Sequence, residues 1–187
     1  SYAASFGTDI IELSQKEINK CKPVVQLFNG VSVREKSGIT ICRDCFDVNA
    51  HWVLDPTMLL SDLDYLSLLK RVEIIEETHN LATYILDPTE DKINIVRFIA
   101  QERKLDIVKT NSEVDNKNAK LEDRVQPSVE AWLKHISEAE FVVTDSFHAC
   151  VFSILFHKPF VVIGNKKRGM SRLESLLDMF ELKDRLI

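Results

Sequence analysis

The sequence lacks any apolar run long enough to cross a bilayer. No run approaches the roughly 20 residues that a membrane-spanning helix needs, and no signal-peptide pattern opens the chain. It also lacks an excess of positive charge, since 24 Lys and Arg against 29 Asp and Glu give a net charge of −5. These absences argue against a transmembrane segment, and against nucleic acid or an anionic membrane surface as the main partner.

Three common motifs of phosphate binding and nucleophilic catalysis are also missing. The chain has no G-x-G-x-x-G fingerprint, no Walker loop and no G-x-S-x-G nucleophile elbow. Dinucleotide-dependent enzymes, P-loop enzymes and α/β-hydrolases are therefore disfavoured.

Cysteine is sparse, with four in 187 residues. Cys42 and Cys45 have C-x-x-C spacing, which invites a zinc or redox interpretation. No second cysteine pair or histidine pair completes a metal site, and both cysteines fall in a predicted helix, so we favour a structural role and expect no metal. This cysteine usage fits a reducing, cytoplasmic compartment.

Apolar residues make up 45% of the chain and charged residues 28%, as in ordinary globular proteins. The length suits one large domain or a tight pair, and we predict a single Rossmann-like domain over residues 1–187. The predicted strands are 2–5, 31–33, 52–54, 82–86, 107–109, 141–143 and 159–163. The predicted helices are 14–28, 39–46, 62–70, 90–102, 128–139, 149–156 and 172–180. This alternation predicts an α/β fold with a doubly wound, mostly parallel sheet.

Segment 110–126 is polar and turn-rich, and it is predicted to be a long loop that is mobile or acts as a lid.

Polar residues follow several predicted strands at the point where each strand ends. Because ligands bind beyond the carboxyl ends of parallel strands, these residues are candidate ligand contacts. They are Ser5, Gly7, Arg34, Asp55, Asp145, Ser146, His148, Lys166, Lys167 and Arg168.

His148 has the strongest chemical signal in this set. Asp145 or Ser146 is placed to cap the helix that carries it, and a helix N-terminus favours an anion such as phosphate. The same dipole disfavours imidazolium, so His148 is expected to be neutral near pH 7 until a multiply charged anion binds beside it. A general acid that is charged only with substrate present would behave in this way. The alternative is a histidine that bonds a neighbouring backbone carbonyl.

The basic residues have structural alternatives as well. Lys166, Lys167 and Arg168 form either one wall of an anion site or a solvated surface turn. Arg34 suits a carboxylate or phosphate ligand, yet it could equally pair with Glu35 or Asp55. Asp55, which precedes a proline, is as well suited to capping a turn as to contacting substrate.

Four segments resemble the polysaccharide pyruvyl transferase family. They are SYAASFG, VSVREKSG, WVLDPTMLL and the continuous segment 127–177, which begins PSVEAW and includes TDSFH and GNKKRG. The four segments run in order from residue 1 to about 180. The resemblance implies two Rossmann-like domains, similar to the GT-B glycosyltransferase fold, with the active site in the cleft between them. This chain resembles the C-terminal domain, so we expect a fragment whose N-terminal domain is missing and which is inactive alone.

The resemblance also implies a reaction. The enolpyruvyl unit of phosphoenolpyruvate would be transferred onto two hydroxyls of a sugar or lipid-linked glycan, giving a cyclic ketal in surface polysaccharide biosynthesis. Phosphoenolpyruvate would be a co-substrate, and no cofactor is implied. The enzyme would be cytoplasmic and could act at the inner face of the membrane.

Residue roles follow by carry-over from the family. His148 would protonate the methylene carbon, while Arg34 and a lysine of GNKKRG, Lys166 in preference to Lys167, would hold phosphate and carboxylate. Many members carry an arginine where this chain has Ser146, so one anion contact is either lost or supplied by Lys167 or Arg168.

Two other functions stay open. One is a GT-B glycosyltransferase that uses a nucleotide sugar, for which Asp87 or Glu90 could bind the ribose. The other is a non-catalytic module that binds glycans or anions, and the loss of the arginine at Ser146 is compatible with it.

Overall fold

The computed structural model describes residues 1–69, 79–112, 118 and 120–187, without the side chains of residues 122, 123 and 167. Contacts divide the chain into two compact units. Unit 1 comprises Ser1–Leu59 and Gly164–Leu186, and unit 2 comprises Leu60–Ile163 with Ile187. The single domain over residues 1–187 stays a prediction.

The secondary structure alternates between helices and strands. In chain order the elements are α1 (Gln15–Val25), β1 (Val31–Val33), α2 (Lys36–Phe46), β2 (Ala50–Trp52), α3 (Asp62–Leu69), β3 (Asn80–Tyr84), α4 (Glu90–Arg103), β4 (Asp106–Lys109), α5 (Leu121–Arg124), α6 (Val129–Glu138), β5 (Phe141–Thr144), α7 (Phe147–Leu155), β6 (Phe160–Val162) and α8 (Ser171–Met179). Short 3₁₀ turns cover Pro56–Leu59, Lys166–Arg168 and Lys183–Arg185.

Unit 1 is built around β1 and β2, which pair in parallel. Helix α1 begins at a capping box, in which the Ser14 hydroxyl and the Glu17 carboxylate satisfy each other's backbone N–H groups. Helix α2 lies close to β1 because Gly38 has no side chain; a Cβ there would stand 3.0 Å from the Cβ of Val33. This close packing holds the N-terminal end of α2 beside the carboxyl end of β1.

Unit 2 contains a four-stranded parallel sheet in the order β4-β3-β5-β6. The central strand β5 is buried along its whole length. Its apolar side chains share a core with residues of β3 and α4 and with the residue that follows β6. The buried members of this core are Leu81, Val96, Ala100, Phe141, Val143 and Ile163. Parallel pairing brings the ends of β3 and β5, at Tyr84 and Thr144, to the same edge of the sheet.

The fold class predicted from the sequence is confirmed. The protein is α/β, and every strand pairing within the described residues is parallel, with helices flanking the sheets, consistent with a Rossmann-like, GT-B-like fold. Within the part of the chain that the structure describes, none of the helices combines the length and the apolar character that crossing a bilayer requires.

Several predicted boundaries were wrong. The strand predicted at 2–5 is reduced to one parallel bridge between Ala4 and Val33, because Ala3 has a left-handed φ of 50° that interrupts extended backbone. The helix predicted at 14–28 ends at Val25, and α2 begins three residues before the predicted 39–46. The predicted loop 110–126 contains the short helix α5. Residues 113–117 and 119 of that loop, and residue 70 of the helix predicted at 62–70, lie outside the described residues.

Candidate functional site

The candidate residues fall in both units. Unit 1 holds Ser5, Gly7, Arg34, Asp55, Lys166, Lys167 and Arg168, whereas unit 2 holds Asp145, Ser146 and His148. Each group has its own geometry.

Arg34 lies one residue beyond β1 and forms an ion pair with Asp55. The Asp55 carboxylate is 2% exposed, and its other oxygen accepts hydrogen bonds from the backbone N–H and the hydroxyl of Thr57, at 3.0 and 2.8 Å. Burial alone would raise the pKa of Asp55, but the bonds from Thr57 and Arg34 outweigh it and lower the pKa. Both structural alternatives drawn from the sequence are therefore realised: Arg34 has an ion-pair partner, and Asp55 caps a turn.

Glu35 fixes the turn at residues 5–7. Its carboxylate is fully buried, and Oε1 accepts the backbone N–H groups of Phe6 and Gly7 at 2.5 and 3.4 Å. The hydroxyl of Ser5 also accepts from Gly7 N–H, at 3.1 Å. Against this turn packs Gly169, where φ is +81° and a Cβ would lie 1.9 Å from the carbonyl oxygen of Gly7. The turn at residues 5–7 and the basic 3₁₀ turn are thus in contact.

In unit 1, the charges of Arg34 and Arg168 affect the pKa of Arg172. Lys166 and Arg168 are exposed in the 3₁₀ turn, and the half-buried Arg172 donates from Nη2 to the Arg168 carbonyl at 2.8 Å. Burial, and then the nearby charges of Arg34 and Arg168, lower the pKa of Arg172, while Glu35 and Asp55 oppose that effect. Burial is the main cause of the lowered pKa, and the charges of Arg34 and Arg168 add to it, so three arginines lie near one another in unit 1.

In unit 2, Ser146 caps α7 and His148 follows in its first turn. The Ser146 hydroxyl accepts from Ala149 N–H at 3.5 Å, so Ser146, not Asp145, is the cap. His148 is exposed, and its ring meets the Phe147 ring edge-on, with centroids 5.4 Å apart. An exposed imidazole at a helix N-terminus is accessible to an anion held by the same backbone N–H groups.

Asp145 connects the ends of two neighbouring strands. Its side chain is fully buried, and its oxygens accept from the backbone N–H groups of Leu86 and Asp87, at 2.6 and 3.2 Å, and from Lys92 Nζ at 2.6 Å. These bonds tie the residues after β3 to the turn that presents Ser146 and His148. Asp145 therefore supports the position of His148.

A sequence comparison covers most of these positions. A model of the family described as polysaccharide pyruvyl transferase matches residues 1–167. The chain belongs to the polysaccharide pyruvyl transferase family. No curated protein sequence matches it in a separate search. The matched stretch ends before the roughly 180 residues over which the sequence resembles the family, so Arg168, Arg172 and α8 lie beyond it.

The structure gives roles to three residues of this pyruvyl transferase family member that are not among the site residues predicted from the sequence. Glu35 was considered only as an ion-pair partner of Arg34, Lys92 was not considered, and Arg172 begins a predicted helix. Glu35 does stand beside Arg34 in the motif VSVREKSG, and that adjacency was a usable signal. Lys92 and Arg172 gave no such signal, because their partners are distant in sequence or come from other elements.

Two residues were considered as ribose contacts for a nucleotide sugar, and that alternative stays a prediction. Asp87 donates its backbone N–H to Asp145, and Glu90 is exposed in the first turn of α4. The C-x-x-C pair lies within α2 as two free thiols, and burial raises the pKa of Cys42. In residues 1–69, 79–112, 118 and 120–187, no group of three or more His, Cys, Asp or Glu side chains could hold a metal ion.

Proposed function

We propose that this family member transfers the enolpyruvyl unit of phosphoenolpyruvate onto two hydroxyls of a sugar or lipid-linked glycan. The product is a pyruvate ketal of a surface polysaccharide precursor. Family membership supports a transferase of this kind. The observation that carries the proposal is the set of three basic side chains in unit 1: Arg34 is held by Asp55 just beyond β1, and Arg172 donates to the carbonyl of Arg168. Such a set favours a ligand with more than one negative charge.

Phosphoenolpyruvate carries such charge in its phosphate and its carboxylate. Guanidinium groups bind both through paired N–H donors, and these bonds are stronger than neutral ones. Asp55 and Glu35 offset part of the positive charge and hold Arg34 and the turn at residues 5–7 in place before the ligand arrives. Lys166, in preference to Lys167, adds a further cation from the 3₁₀ turn, and Ser5 and Gly7 line the same side of the site.

His148 is the proposed general acid. It gives its proton to the methylene carbon of phosphoenolpyruvate, which becomes a methyl group and leaves an oxocarbenium-like centre at the neighbouring carbon. One sugar hydroxyl adds to that centre. The second hydroxyl replaces phosphate. One of the two hydroxyl protons returns to His148, and the other leaves with phosphate. Ser146 positions His148 by capping α7, and Asp145 supports the same turn.

The proposal also covers the co-substrate, the cellular compartment and the domain that completes the cleft. Phosphoenolpyruvate serves as co-substrate, and the reaction takes place in the cytoplasm, at the inner face of the membrane when the acceptor is lipid-linked. The free thiols of this chain support a reducing compartment. An N-terminal domain of the same polypeptide, expected from the family resemblance, completes the cleft and contacts the acceptor.

The direct test measures phosphate release by the full-length protein from phosphoenolpyruvate with a panel of glycan acceptors. We expect release with at least one acceptor, and a His148→Ala rate that is lower by about 10²- to 10⁴-fold. His51→Ala is the matched control, because His51 is exposed on β2. Absence of release with every acceptor, or a full rate in His148→Ala, would contradict the proposal.

A thermal-shift measurement separates this function from a nucleotide-sugar transferase. A ligand that binds only the folded state raises its stability by RT ln(1 + [L]/Kd). We expect phosphoenolpyruvate to raise the Tm and nucleoside diphosphates to leave it unchanged. The opposite result would favour glycosyl transfer.

A further inference from the structure

Lys92 forms an ion pair with the buried carboxylate of Asp145, just before the helix that carries His148. Its Nζ lies 2.6 Å from Oδ2 of Asp145, and the two side chains are 11% and 0% exposed. The same Nζ donates to the carbonyl of Asp87 at 3.1 Å. Asp87 follows β3 and Asp145 follows β5, so one lysine contacts the ends of two neighbouring strands within unit 2.

The place of Lys92 in its own helix is electrostatically unfavourable. It stands in the first turn of α4, where its backbone N–H donates to the Thr89 cap at 3.4 Å. The helix dipole favours acidic residues in a first turn, and Glu90 and Asp91 follow that rule. A residue that breaks a local rule is expected where function requires it. The charge of Lys92 is therefore explained by the carboxylate that it meets and not by the stability of α4.

The carboxylate of Asp145 has a task that no apolar side chain could perform. Its two oxygens accept the backbone N–H groups of Leu86 and Asp87, at 2.6 and 3.2 Å. Stability alone seldom explains a buried ion pair, because a well-packed apolar pair of similar volume is often as stable. The carboxylate is needed here as an acceptor for two backbone groups, and Lys92 offsets the negative charge that comes with it.

The position of this carboxylate matters for an anionic substrate. Asp145 directly precedes Ser146, the N-cap of α7, and the exposed His148 lies in the first turn of that helix. A carboxylate without a counter-charge at this point would oppose the positive end of the helix dipole and repel the phosphate and carboxylate of phosphoenolpyruvate. The ion pair with Lys92 balances that negative charge, so the backbone N–H groups of the first turn still favour an anion.

We propose that Lys92 is a positioning residue of the pyruvyl transfer, whose positive charge balances Asp145 so that the turn presenting His148 accepts an anionic substrate. Lys92 acts through Asp145 and touches no substrate atom. The identity of the substrate rests on the proposed function. The requirement for a positive charge at residue 92 is tested by anion binding alone, without any transfer.

The test compares Lys92→Gln, which keeps a hydrogen-bond donor but loses the charge, with Lys92→Arg, which keeps both. Isothermal titration calorimetry on the full-length protein measures the Kd of phosphoenolpyruvate, and phosphate release gives KM and kcat. We expect Lys92→Gln to raise the Kd and the KM by roughly tenfold with a smaller change in kcat, and Lys92→Arg to restore most of the affinity. Lys104→Gln is the matched control, because it removes the same charge from the exposed C-terminal end of α4.

A double variant separates charge balance from a merely structural role. Lys92→Gln with Asp145→Asn removes both charges, but the asparagine has one acceptor oxygen for the two backbone N–H groups of Leu86 and Asp87. If Lys92 only held the turn in place, this variant would bind phosphoenolpyruvate more weakly than Lys92→Gln. Charge balance predicts the opposite, a recovery of affinity by roughly two- to fivefold.

Each other outcome has a defined meaning. The proposal is overturned if Lys92→Gln binds phosphoenolpyruvate like the wild type, if Lys92→Arg binds it as weakly as Lys92→Gln, or if the double variant shows no recovery. A wild-type protein that binds no phosphoenolpyruvate overturns both this proposal and the proposed function. If binding follows the expected pattern but no acceptor gives phosphate release, the role of Lys92 in anion binding stands and the proposed transfer fails. If phosphate is released while Lys92→Gln keeps the wild-type KM, the transfer stands and Lys92 has no part in it.

Discussion

The guanidinium of Arg34 is paired with the buried carboxylate of Asp55, which also caps the 3₁₀ turn at Pro56–Leu59. One carboxylate therefore joins the residue after β1 to the segment after β2. An arginine held in this way loses little conformational freedom when it binds a ligand, which lowers the entropic cost of binding.

Replacement of this carboxylate should destabilise unit 1. Asp55→Asn keeps an acceptor for Thr57 but leaves the buried end of Arg34 without its counter-charge, and we expect a loss of about 2 kcal/mol in the free energy of unfolding. Urea denaturation measures this loss in the free energy of unfolding. Asp44→Asn, which removes an exposed partner of Arg43, is the control and should cause no measurable change. Equal stability of Asp55→Asn and the wild type would show that the pair is dispensable.

Because of the same ion pair, we expect the free energy of unfolding to depend on pH. Because the pKa of Asp55 is lowered in the folded state, its contribution to stability is complete above the unfolded-state pKa, about 3.9, and is lost as the pH falls through the folded-state value. The stability gap between wild type and Asp55→Asn should thus be constant from about pH 7 to about pH 5 and shrink below about pH 4. Urea midpoints across this range test it, and a gap that widens on acidification would contradict the lowered pKa.

Gly169 should tolerate no side chain. In Gly169→Ala the new Cβ would overlap the carbonyl oxygen of Gly7 and also occupy a left-handed backbone position, so we expect a loss of at least about 1–3 kcal/mol. Thermal unfolding gives the measurement. Gly30→Ala is the control, because a Cβ there meets no atom within 4 Å. A Gly169→Ala protein as stable as Gly30→Ala would mean that the contact with residues 5–7 is loose.

Arg172 is expected to bind phosphoenolpyruvate although it lies outside the family-matched stretch. Arg172→Met should weaken phosphoenolpyruvate binding by roughly tenfold, as expected for the loss of one charge-assisted contact, and Arg172→Lys should restore part of it. Isothermal titration calorimetry measures both. Arg97→Met, on the exposed face of α4 in unit 2, should bind like the wild type. If the Arg97 and Arg172 variants weakened binding equally, the effect would be one of net charge.

The sequence was informative where a signal is local. Runs of β-branched residues marked β1, β5 and β6, because such side chains suit buried strands, and the polar residues after them were correctly placed at strand ends. The position of Ser146 and His148 at the start of α7 followed from helix-capping rules alone. The strand expected at 2–5 failed because propensity does not reveal the left-handed backbone of Ala3.

The other features depend on partners that are distant in sequence. The burial of Glu35 requires the turn at residues 5–7, which lies almost 30 residues earlier. Asp145 accepts from Leu86 because β3 and β5 are neighbours, a fact of strand order that no local pattern states. Arg172 joins Arg34 because α8 returns to unit 1 after the chain has formed unit 2. Motif analysis finds the residues of a site more readily than the residues that hold them.

The discontinuity of unit 1 also sets the order in which the protein can form during translation. The ribosome completes residues 60–163 before it makes α8, and domains tend to fold as units while the chain emerges. Unit 2 can therefore fold first, whereas β1, β2 and α2 wait for the segment whose Ser175 accepts the backbone N–H of Lys36. A ribosome that stalls between these segments would release a chain with one finished unit and one lacking its last helix, and such a chain is a substrate for chaperones and proteases.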